Sequence, residues 1–170
     1  YRQSSAAANA AAMAADPDPI VGAWQATLAA DDETTPTGIV FTADGMPQHL
    51  YPHSQTSLPH VNKERDYQAV NGACLLVPRA LFEECGGFDE GYRNGYEDVD
   101  LCLTVRDKGR RVVCCTSASI YHYGQITETR TVDDGHNARR FREKWGGRVR
   151  PDEARYFRED VATLPAPVRH

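Results

Sequence analysis

The stretch from Asn71 to Asp100, NGACLLVPRALFEECGGFDEGYRNGYEDVD, constrains the fold of this chain more than any other. An apolar run, Ala73–Val77, meets Pro78, whose fixed φ can open a helix, and Gly86-Gly87 can close that helix. A glycine- and tyrosine-rich loop follows, and Glu97-Asp98 then falls in the first turn of a second, amphipathic helix. A carboxylate pair delivered by a mobile loop to a helix N-terminus suits base chemistry on a bound hydroxyl.

Around this stretch the pattern reads as α/β. Residues 1–15 are alanine-rich, and the Asp16–Pro19 run stops any helix there, since each proline turns its predecessor away from helical geometry. Ile20–Leu28 and Thr37–Thr42 read as strands, and 46–66, rich in proline and without period, as a long loop. Val70–Val77 is the strongest strand, followed by a helix over 79–85 and the loop 88–95. The helix Glu97–Lys108 sets positions 98, 101, 102 and 105 on one stripe, with Gly109 as its stop. On that geometry Asp98 lies toward the core edge and Asp100 toward solvent. Arg111–Tyr121 reads as a strand running into His122, and Asn137–Trp145 as a helix ended by Gly146-Gly147. Three segments result: an Ala-rich helix or linker (1–19), an α/β domain (20–150) and a polar tail (151–170). Four strands and three or four helices fall short of the five or more strands of an ordinary nucleotide-binding α/β domain. No glycine-rich turn follows a strand to cradle a phosphate, so the chain is expected to form part of a larger sheet. Such a sheet exposes an edge that favours pairing with a second copy, and a homodimer is expected.

A net charge of −5 argues against nucleic acid, whose binding needs a surplus of lysine and arginine. The apolar runs are far shorter than the roughly 20 residues that span a bilayer. The five cysteines form no CxxC pair; Cys114 and Cys115 point to opposite faces of a strand, and Cys74, Cys85 and Cys102 sit among apolar neighbours. Reduced thiols and a cytoplasmic location follow.

Each chemical constellation has a plainer rival. Asp98 at a helix start is kept ionised by the dipole and can take a proton, with Glu97 orienting the bound hydroxyl; helix capping selects the same residue types. His122, at a strand end within Tyr121-His122-Tyr123-Gly124, can ligate a divalent ion or be structural. Asp16-Pro17-Asp18 satisfies Asp-x-Asp literally, but no buried strand precedes it, and a turn is the better reading. His49, His53 and His60 are separated by prolines that disfavour a zinc-binding helix. Arg139, Arg140, Arg142, Lys144 and Arg148 surround Phe141 and Trp145, an inward i,i+4 pair. The basic residues then form a solvated face or contact an anionic membrane surface or lipid diphosphate.

From about Asp16 to Trp145 the chain resembles family 2 glycosyltransferases, rhamnosyltransferases among them. The resemblance rests on NGACLLVPR, FEECGGFDEGY, GYEDVDLCL, the strand ending in His122, and NARRFREKWGG. It implies the acceptor-side, C-terminal half of a GT-A fold: a Rossmann-like nucleotide-diphospho-sugar transferase with a mixed sheet. It implies metal-assisted, inverting transfer from a nucleotide sugar to a carbohydrate or lipid-linked hydroxyl in cell-surface polysaccharide synthesis. Asp98 would be the base and His122 a ligand of Mn²⁺ or Mg²⁺. Glu97 with Tyr92, Arg93, Asn94, Gly95 and Tyr96 would bind acceptor. The family's donor-binding half is not matched, so these 170 residues are expected to be inactive alone. The rival from another class is a non-catalytic carbohydrate-binding or interaction module on the same fold.

Overall fold

A computed structural model of the protein describes residues 21–28, 34–35, 38–52, 54, 58–122 and 133–161. Its longest pairing is parallel, between β1 (Val21–Leu28) and β8 (Val112–His122). Three extra residues of β8, Thr116–Ala118, form an irregularity opposite Trp24 and Gln25. Two short strands run antiparallel along the rest of β1: β7 (Leu75–Leu76) beside Gly22 and Ala23, and β2 (Thr34–Thr35) beside Ala26 and Thr27. On the far side of β8, β5 (Arg65–Asp66) pairs antiparallel with Val113 and Cys114. A second sheet joins β4 (Pro47–His49), β3 (Gly38–Phe41) and β6 (Ala69–Val70), all antiparallel.

The strand expected over Val70–Val77 is broken. Asn71 accepts a hydrogen bond from the Ala73 N–H through its side chain at 2.8 Å, starting a single 3₁₀ turn, Gly72–Cys74, between β6 and β7. Local capping by asparagine outcompetes strand continuation there. The region 46–66, read as one loop, contains β4 and β5.

Among the described residues, four α-helices accompany the sheets: α1 (Arg79–Glu84), α2 (Glu97–Asp107), α3 (Asp134–Trp145) and α4 (Glu153–Val161). α2 lies across the core rather than on its surface, burying Val99, Asp100, Leu101, Cys102, Leu103 and Val105. Gly109, at φ 76°, terminates it as expected, its N–H donating to the Arg106 carbonyl. Phe141 and Trp145 turn inward from α3, and Phe141 stacks on Phe41 with ring centroids 6.2 Å apart. The segment read as a polar tail holds α4, whose Tyr156 stacks on Tyr67 at 4.9 Å and whose Asp160 is buried. Asp160 accepts from Tyr51, Lys63 and Arg65, so one buried carboxylate fastens α4 to the segment before β5.

The five cysteines form no disulfide, and burial pushes the Cys102 thiol up to about 12. Among the described residues, no helix is long and apolar enough to cross a membrane.

Candidate active site

The acidic pair begins α2 as expected. Tyr96 occupies the N-cap in the left-handed region, at φ 73°, and its side chain caps nothing. Asp98 is half-buried and turned onto the 3₁₀ turn: its Oδ2 accepts from the Gly72 N–H at 2.6 Å and its Oδ1 from the Val99 N–H at 2.8 Å. Gly72 is required here, because a Cβ at that position would lie 2.8 Å from the Asp98 Cβ. Glu97 folds back on the loop, its Oε2 accepting from the Gly95 N–H at 2.7 Å.

The loop expected to be mobile is fastened along its length by α3. Asp89 takes Arg140 at 2.6 Å, Lys144 at 3.1 Å and its own loop's Gly91 N–H at 2.9 Å. Burial alone would raise the Asp89 pKa, but Arg140, the Gly91 N–H and Lys144 outweigh it and bring it down to about 2. His136 Nε2 meets the Gly91 carbonyl at 2.9 Å, and Asn137 bonds both backbone groups of Arg93. Of the remaining expected acceptor residues, Tyr92 is buried, its ring stacked parallel to Tyr96 at 6.3 Å, while Arg93 and Asn94 are exposed.

Asp100 corrects the stripe reading. It is 3 % exposed rather than turned to solvent, accepting from Trp145 Nε1 at 2.7 Å, Lys144 Nζ at 2.8 Å and the Tyr92 hydroxyl at 3.3 Å. The side of α2 that faces away from the sheets is covered by α3. The basic face of α3 is therefore only partly solvated: Arg140 and Lys144 serve Asp89 and Asp100, whereas Arg139 and Arg142 follow different directions from the helix. Sequence reasoning missed His136, Asn137, Arg140 and Lys144 as a group. Their offsets of one, four and eight residues from His136 were the available signal, since that spacing places them on one face.

Among the described residues, the histidines join no metal-holding cluster. His49 lies in β4, His60 packs edge-on against Tyr51 at 4.8 Å, and His53 is outside the described residues. So are the Asp16-Pro17-Asp18 run and the side chain of His122, whose backbone ends β8 beside Leu28. Among the described residues, no three His, Cys, Asp or Glu side chains gather where they could hold a metal. The described side chains by themselves form no divalent-cation site.

Residues 30–146 match the family model described as glycosyltransferase like family 2, and the chain belongs to that family. It is 33 % identical over 91 residues to an O-antigen biosynthesis protein of Myxococcus xanthus, covering 51 % of this chain and 7 % of that protein. It is 42 % identical over 60 residues to the N-acetylglucosaminyl-diphospho-decaprenol L-rhamnosyltransferase of Mycobacterium tuberculosis, covering 35 % of this chain and 20 % of that enzyme. A low-salt glycan biosynthesis hexosyltransferase of Haloferax volcanii is 23 % identical over 100 residues, covering 59 % of this chain and 30 % of that protein. The chain thus spans less than a third of the length of each of these relatives.

Proposed function

We propose that this chain supplies the acceptor side of a GT-A glycosyltransferase that builds a cell-surface polysaccharide. The donor is a nucleotide sugar and the acceptor a carbohydrate or lipid-linked hydroxyl. Asp98 takes the hydroxyl proton as that oxygen attacks the anomeric carbon. The bond from that carbon to the diphosphate oxygen breaks, and the nucleoside diphosphate leaves with the electron pair, inverting the centre. Glu97 and the loop from Tyr92 to Tyr96 orient the acceptor. His122 is this chain's contribution to binding a divalent cation, tested by loss of Mn²⁺-dependent donor binding in His122→Ala of the full-length enzyme.

The observation that carries this reading is the position of Asp98. It lies inside the family match, in the first turn of α2, half-buried and accepting from two backbone N–H groups. Replacement by Asn keeps one acceptor oxygen for those donors and removes the basic carboxylate. In a transfer assay of the full-length enzyme across nucleotide sugars, turnover of Asp98→Asn should fall by about 10²–10⁴-fold with the donor KM little changed. Glu97→Gln should instead raise the acceptor KM. Near wild-type turnover of a folded Asp98→Asn protein would remove Asp98 as the base and leave it a helix cap.

A further inference from the structure

Asn137 is 1 % exposed and lies on the face of α3 that meets the loop. Its Oδ1 accepts the Arg93 N–H at 2.9 Å and its Nδ2 donates to the Arg93 carbonyl at 2.7 Å. One amide side chain therefore does for Arg93 what a neighbouring strand would do. The three residues that follow all have positive φ: Asn94 at 50°, Gly95 at 150° and Tyr96 at 73°. Residues with side chains enter that region only against steric resistance, so such a run reverts unless it is held at both ends. Its far end is held by α2, where the Asp100 N–H donates to the Tyr96 carbonyl at 2.9 Å. Its near end is Arg93, and Asn137 holds it. Asn137 also packs against the turn itself, its Nδ2 lying 3.7 Å from where a Cβ on Gly95 would sit.

We propose that Asn137 is a positioning residue for the acceptor: clamping Arg93 fixes the turn 94–96, and with it Glu97, before the acceptor arrives. This rests on the glycosyl-transfer reading above. A loop ordered in advance spares the acceptor the entropy of ordering it, so the clamp acts on acceptor affinity and not on the donor. A general loss of stability would behave differently. It would lower the active fraction, and so the apparent kcat, and leave both KM values in place.

Asn137→Ala and Asn137→Asp separate these cases. The aspartate still accepts from the Arg93 N–H but cannot donate to its carbonyl, so it is the milder variant and carries the test if the alanine fails to fold. Hydrogen exchange at the Arg93 amide should be at least about tenfold faster in the alanine variant, with the aspartate between it and wild type. The acceptor KM should rise about tenfold or more, with the donor KM within about twofold of wild type. Unchanged exchange, or acceptor and donor KM values that shift together, would overturn the proposal. Exchange is read independently of turnover. The KM values are read in the full-length enzyme that contains this segment, and its inactivity would overturn the transfer reading, while the exchange rates still decide whether Asn137 is a clamp.

Discussion

Replacing Asp100 by alanine should destabilise this protein more than any other single change on the outer side of α2. The carboxylate is 3 % exposed and accepts from the Trp145 indole, itself 3 % exposed, at 2.7 Å. Removing it loses a charge-assisted hydrogen bond of about 1.5–3 kcal/mol and strands the buried indole N–H, a further ~1–3 kcal/mol. Lys144 adds little, because its side chain is 38 % exposed and it keeps Asp89 as a partner. The two contributions together span about 2.5–6 kcal/mol, centred on the ~3–5 kcal/mol lost when one partner of a buried pair is removed. In a chain of this size that lowers the melting temperature by about 6–20 °C. Asp100→Asn keeps an acceptor for the indole and should lose less than half as much. Thermal unfolding followed by circular dichroism supplies the numbers. A cycle with Trp145→Phe should return a coupling of about 1.5–3 kcal/mol between the two sites. An Asp100→Ala protein melting within ~2 °C of wild type, or a coupling near zero, would refute the reasoning.

Gly72→Ala should push Asp98 away through the 2.8 Å contact between the two Cβ atoms, cutting turnover in the transfer assay about as severely as Asp98→Asn while leaving the donor KM unchanged. The Asp89 carboxyl, titrated by NMR, should show a midpoint of about 2, rising in Arg140→Ala. Because its folded pKa lies below the ordinary value of about 3.9, its hold on the loop is complete above that pH. The hold is lost as pH falls through 2, and faster exchange at Gly91 below pH 3 but not at pH 5 is the expected signature. Calorimetry of the 170-residue chain with Mn²⁺ and UDP or dTDP nucleotides should register no appreciable donor binding, and micromolar affinity would relocate the donor site into this segment.

What the sequence disclosed, and what it withheld, follows the range of the forces involved. The start of α2 at Glu97, its end at Gly109 and the inward turn of Phe141 and Trp145 all depend on neighbours within one or two turns, and all were legible. The burial of Asp100 was not, because helical spacing tells which residues share a side and not which element covers the opposite one. The break in Val70–Val77 came from Asn71 capping a turn that also brings Gly72 onto Asp98, a contact 26 residues apart. α4 did carry a local signal that its charged composition obscured. Pro151-Asp152-Glu153 is a helix start, and the Arg155 and Tyr156 N–H groups both donate to the Asp152 carbonyl. Tyr156 and Asp160, four apart, then form the buried edge.

The family match stops at residue 146, but the cooperative unit continues through α4. Asp152 takes the Phe41 N–H from an edge of β3 at 2.8 Å, and the Tyr156 hydroxyl donates to the Asp66 carbonyl at 2.8 Å. Arg65 loses its carboxylate at 2.7 Å if Asp160 is removed. A chimera that exchanges acceptor specificity between family members by splicing at Gly146 would thus cut through a shared interior. It would leave Tyr67 without its stacking partner and Arg65 as an uncompensated charge. A splice beyond Val161 keeps α4 together with the β5 strand and the Tyr67 ring that it packs against.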